Sequence, residues 1–186
     1  MRYFLTILFF AAALGCTRTN INDLTKSNSL DTLAIIDKAI LDSVDFVVLN
    51  VDTLETQHIF PSTYTSTDLI EGEIIKCEKL LKSYILDYNK EAIMRFDLIK
   101  KKYPNQRFYS KDFTIELKDY GRQYIAALSD KGDKVVYVNC YCNPAEFSYR
   151  DKELVDVDDG GNCYFDFKVD LNKNEIFDFA TNGWTP

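Results

Sequence analysis

The stretch RQYIAALSDKGDKVVYVNCYC, Arg122–Cys142, decides the fold. Two β-rich runs flank Asp130-Lys131-Gly132-Asp133, and Gly132 can supply the positive φ that a tight hairpin needs. In the second run the side chains alternate. Val136, Val138, Cys140 and Cys142 share one face, and Val135, Tyr137, Asn139 and Tyr141 share the other. The period of two continues in both directions. Upstream, FTIEL from Phe113 to Leu117 alternates. Downstream, KELVDV and NCYFDFKVDL flank a second turn, Asp158-Asp159-Gly160-Gly161, and EIFDFATNG follows the polar turn NKN. The expectation is an antiparallel meander of about five strands.

Before the meander the period is helical. In STDLIEGEIIKCEKLLKSYILDYN, Ile70, Ile74, Cys77, Leu81, Tyr84 and Tyr88 recur at steps of three and four. Ser66, Thr67 and Asp68 are N-cap candidates, and Asn89 is a candidate end. A second helical pattern runs through Ile93, Phe96, Ile99 and Tyr103, with Lys100, Lys101 and Lys102 before Pro104. Further upstream, LAIIDKAILDSV has helical spacing, and Phe46 to Val51 reads as a strand. One or two helices packed on an antiparallel sheet make an α+β domain. Cystatin-like and NTF2-like folds share this layout, an analogy that carries no function.

The chain has 186 residues, a formal charge of −7, 46% hydrophobic and 14% aromatic residues. One domain with a real core is expected, and an acidic chain argues against a nucleic-acid partner. There is one histidine, His58, in a loop context, so histidine-based catalysis has a single candidate residue.

The N-terminus reads MRYFLTILFFAAALGC. Arg2 is followed by an apolar run about the length of a signal-peptide core and short of the roughly 20 residues that span a bilayer. The segment Ala13 to Cys16, ALGC, resembles the lipobox of bacterial lipoproteins, with Ala13 where that family usually has Leu. The resemblance implies a signal peptide over residues 1–15 and acylation of Cys16 as the first mature residue. It implies stable anchoring by several acyl chains, including palmitate. Thr17, in place of Asp, implies the outer membrane, on its periplasmic face. Residues 16–31, rich in Thr, Asn and Ser, read as a lipidated flexible tether. Residues 32–186 then form the single α+β domain. The segments YGRQYIA, YVNCYCN, DGGNCYF and TNG also resemble a pattern in small secreted bacterial proteins of uncharacterised function, which implies a shared sheet and no activity.

Five cysteines are present. Cys77 lies on the helical stripe and reads as a small buried hydrophobe. Cys163 shares a face with Phe165 and Phe167, toward the core. If its strand neighbours Val135–Cys142, Cys163 can bond Cys140 or Cys142, which suits an oxidising compartment. Buried free thiols are the other structural option. Cys-x-Cys is not the redox motif Cys-x-x-Cys, and no second pair stands at zinc spacing. Asp170, Asn172 and Asn174 start like an EF-hand loop, but Glu175 and Thr181 stand where Gly and Glu are needed. Turn chemistry explains them, so neither a metal nor another cofactor is expected.

Tyr137, Tyr141 and Tyr164 fall opposite the cysteines. Left uncovered, they would form an aromatic face for a small ligand or an envelope protein. Together these features suggest a lipid-anchored envelope protein acting as a non-enzymatic binding or accessory module. The alternatives are an envelope hydrolase using Asp156, Asp158 or Asp159, and an inhibitor or immunity-type protein.

Overall fold

A computed structural model describes residues 21–50 and 58–182, with side chains described from residue 32. The signal segment, Cys16 and the start of the tether lie outside the described residues, as does Val51. The chain divides into two units, Met1–Ile35 and Ile36–Pro186. Among its described residues the first unit is helical. Helix α1 spans Ile21–Asp42, so helical backbone begins inside the segment expected to be a tether.

The second unit is an α+β domain. Its elements are β1 (Asp45–Val48), β2 (Thr65–Ser66), α2 (Glu71–Lys102), β3 (Tyr120–Leu128), β4 (Lys134–Cys142), β5 (Tyr164–Asp170) and β6 (Glu175–Thr181). They form one sheet in the order β1-β3-β4-β5-β6, with β2 also against β3. The run from β3 to β6 is the expected antiparallel meander. On the other side of β3, β1 pairs in parallel, so the sheet is mixed.

The hairpin at Asp130–Asp133 forms as its glycine predicts. Gly132 takes φ +82, and Ser129 N–H donates to the Asp133 carbonyl. Two other segments that alternate are not strands. FTIEL is irregular and lies between two short 3-10 turns, Ser110–Asp112 and Leu117–Asp119, and the backbone of Ile115 is held by the side chain of Asn89 instead of a neighbouring strand. KELVDV lies in the long connection from β4 to β5, so Asp158–Gly161 is not a second hairpin.

The two expected helical segments are one helix. α2 runs for 32 residues, straight through Asn89. The Asn89 amide both donates to and accepts from Ile115 at 2.9 Å, so it clamps a passing loop and does not end the helix. The cap also lies later than expected. Ile70 is the N-cap, and the Glu73 carboxylate accepts from its N–H, one arm of a capping box.

One sheet face packs under α2. Ile74, Cys77, Leu81 and Ile85 meet Tyr124, Val136, Val138, Cys140, Phe165, Phe167 and Val169. β6 stays aligned through a bulge opposite Phe167, with Asp178 at φ +52. The bulge lets both Ile176 and Phe179 reach this core while Phe177 joins the smaller one behind the sheet.

Candidate functional site

The cysteines form a staple. The β4–β5 ladder pairs Cys140 with Phe165 and Tyr141 with Tyr164. The next opposed pair is Cys142 with Cys163, and these two are disulfide-bonded with Cα atoms 5.1 Å apart. Of the two pairings open to Cys163, register selects Cys142. The bond closes the base of the β4–β5 connection. Cys140 and Cys77 are free and buried. Burial pushes the Cys77 thiol up to about 12, and it raises Cys140 as well, with the Arg122 guanidinium opposing. Both are protonated at neutral pH and are poor nucleophiles.

The tyrosine face is roofed. Tyr141 is fully buried, and Tyr137 and Tyr164 are partly buried. Phe147 stands edge-on to Tyr141 at 5.4 Å and to Tyr164 at 6.4 Å. Gly121 opposes Tyr141 in the ladder, and a Cβ there would meet the ring and Pro144 at 2.8 Å. Leu49, Ile59, Phe60 and Val135 pack near Tyr137. The roof is tied down by two buried amides. Gln123 Nε2 donates to the carbonyls of Arg150 and Glu153, both at 2.7 Å, and its Oε1 accepts from Val155 N–H at 2.8 Å. Asn139 Nδ2 donates to Gln123 Oε1 and to the Val155 carbonyl. A strip of chain is thereby hydrogen-bonded across the sheet face that alternation left open.

The acidic turns do not converge. Asp156, Asp158 and Asp159 are exposed on the roof loop. Asp170 organises its own turn: it accepts from the N–H groups of Asn172 and Lys173 and from Lys173 Nζ. Those bonds, the Lys173 ammonium first, hold its carboxyl below the usual range. His58 is exposed. Among the described residues no cluster of His, Cys, Asp and Glu is arranged to hold a metal ion, and no helix is long and apolar enough to cross a membrane.

A cleft of about 550 Å³ lies elsewhere, where the end of α1 meets α2 and the turn before β3. Ile36, Ile40, Val44 and Leu117 supply apolar walls, and Lys79, Lys82 and Lys118 line it as well. Its lining also includes a buried ion pair, Arg122 with Glu78, exposed by 1% and 7%. Arg122 Nε donates to Glu78 Oε1 at 3.2 Å, while its other nitrogens donate to the Tyr120 and Leu117 carbonyls at 2.7 and 3.0 Å. Tyr124 O–H donates to the same Glu78 oxygen at 2.5 Å. In a low-dielectric setting such a pair persists only with this full set of partners. It fixes the β3–α2 contact that shapes the cleft. A smaller cleft of about 370 Å³ is lined by Tyr88, Arg95, Asp112, Phe113, Asn162, Phe179 and Thr181. Arg95 lies over the Tyr88 ring, 5.3 Å from its centroid.

The larger cleft was not among the residues that sequence patterning singled out. Its signals are present in the chain all the same. The alternation Tyr120-Arg122-Tyr124 places a guanidinium on the core face of β3, and Glu78 sits between Cys77 and Leu81 on the apolar stripe of α2. Two opposite charges on facing buried surfaces imply one another. Comparisons of the chain with protein-family models, with curated proteins and with solved structures return no match.

Proposed function

We propose that the protein is a lipid-anchored cell-envelope protein whose body is a non-enzymatic binding module, with the 550 Å³ cleft as its ligand site. The observation that carries the binding role is the character of that cleft. Its walls are mainly apolar with lysines among them, its size is in the range of small-molecule sites, and its buried charges are mutually satisfied. Arg122 and Glu78 are tied to each other and to backbone carbonyls, which suits a rigid lining better than proton transfer.

The anchored location rests on the ALGC segment and Cys16. The Cys142–Cys163 disulfide supports a compartment outside the cytosol, because such bonds persist in oxidising surroundings. The exposure of Asp156, Asp158 and Asp159 weighs against a hydrolase built on them, since all three stand in solvent and none lines either cleft. The test is fractionation of cells expressing Cys16→Ala. The expected result is loss of the protein from the outer-membrane fraction. A variant that stays with the membrane as the wild type does would overturn the anchor.

A further inference from the structure

We infer that the cleft between α1, α2 and the turn before β3 binds a single-chain amphiphile, an acyl chain ending in a carboxylate; this rests on the binding role proposed above. The walls set the tail. Ile36, Ile40, Val44 and Leu117 are all hydrocarbon, and Ile36 is left 47% exposed, a surface that an acyl chain in the cleft would cover. A volume of about 550 Å³ suits one chain of drug-like size and not a two-chain lipid.

The charges set the head group. The chain carries −7 overall, yet the cleft lining holds Lys79, Lys82, Lys118 and Arg122 against Glu78 alone. Arg122 is committed to Glu78 and two carbonyls. Lys79 is paired with Asp37 at 2.6 Å, and Lys118 with Glu116 at 3.0 Å. Lys82 is exposed and has no acidic partner among the described residues. One uncommitted ammonium beside an apolar cavity fits one anionic head. The tail would lie along the isoleucines with its carboxylate at Lys82.

The experiment uses the full-length protein in its own membrane. A photoreactive twelve-carbon fatty acid is the probe, and cross-links are located by peptide mapping. Expected is labelling of the Ile36–Val44 and Leu117 peptides that dodecanoate competes away and dodecanol does not. Lys82→Glu should reduce it about fivefold, since the position is exposed and screened. Ile40→Trp, which fills the cavity, should abolish it, while Lys82→Glu guards against a variant that merely misfolds. Labelling that is absent, that spreads to exposed Leu86, Ile93 and Leu98 of α2, or that ignores the head group would overturn the inference. Release of Cys16→Ala without labelling of the wild type would remove this ligand class and leave the anchored protein standing.

Discussion

Replacing Glu78 by Leu should be among the most damaging single changes in the domain. The Glu78 carboxylate accepts from Arg122 Nε and from Tyr124 O–H. Its removal leaves the Tyr124 hydroxyl, fully buried, without that acceptor, which costs about 1–3 kcal/mol. It also leaves the Arg122 charge with two carbonyl acceptors and no counter-ion at 1% exposure. Breaking a buried pair in this way costs about 3–5 kcal/mol, a range that already includes part of the hydroxyl's loss. Burying Leu instead of a carboxylate recovers some of it, so the net expectation is about 3–4 kcal/mol. At a urea slope near 2 kcal/mol per molar, the midpoint should fall by roughly 2 M. Glu78→Gln keeps an acceptor oxygen and should lose about half as much. The triple variant Glu78→Leu, Arg122→Met, Tyr124→Phe removes the stranded charge and hydroxyl, leaves only the Tyr120 and Leu117 carbonyls without their guanidinium donor, and should recover most of the loss. Equilibrium unfolding in urea of the oxidised protein, followed by two probes, measures all three. A loss below about 1 kcal/mol for Glu78→Leu, or a triple variant no better than the single one, would refute the claim that this pair is desolvated and interdependent.

Three other outcomes follow from the geometry. Reducing Cys142–Cys163, or changing both to Ser, frees a 21-residue separation and should cost roughly 3 kcal/mol in the same urea assay. Gln123→Ala removes three bonds to the 150–155 strip; trypsin should then cut after Arg150 or Lys152 about tenfold faster, with the unfolding midpoint falling less than in proportion. Stability should also fall as pH rises above about 9, because Cys77 moves from 9.0 to about 12 on folding and Cys140 is raised too. The sign follows from proton uptake: above pH 9 the unfolded thiols ionise and the folded ones do not, so stability is fully present below that pH. It is then lost at about 1.4 kcal/mol per pH unit for each thiol. Urea midpoints from pH 7.5 to 9.5 measure this, below the range where the burial-raised Tyr120, Tyr124 and Tyr137 add a loss of the same sign, and Cys77→Ala with Cys140→Ala should flatten the profile there.

The elements most legible in the sequence are those whose period reports one covered face. α2 shows itself through Ile74, Cys77, Leu81 and Ile85, and β3 to β4 through their alternation and Gly132. The covalent partner of Cys163 was narrowed to a face by that alternation, but the choice of Cys142 needs register, which depends on how a long connection returns. The failures share a cause. Asn89 looks like a terminus and FTIEL like a strand, and alternation leaves the cover of Tyr141 undecided, because the side chains that settle each lie far away in sequence. Ile115 is held across 26 positions, and the roof over Tyr141 is tied by Gln123 across 27 and 30. Local pattern carries no information about such ties. β1 illustrates the same limit: a four-residue strand gives no hint that it will run parallel to β3. The cleft depends on Arg122 and Glu78, 44 positions apart, and is visible in the chain only as two misplaced charges.

The disulfide makes the segment from Cys142 to Cys163 a ring. A single cut in the exposed turn around Asp158 therefore opens the ring without dividing the molecule. Both new ends stay joined through sulfur, with β4 and β5 still laddered beside the bond. A nicked chain would run as an intact one until a reductant is added, and only then part into two pieces.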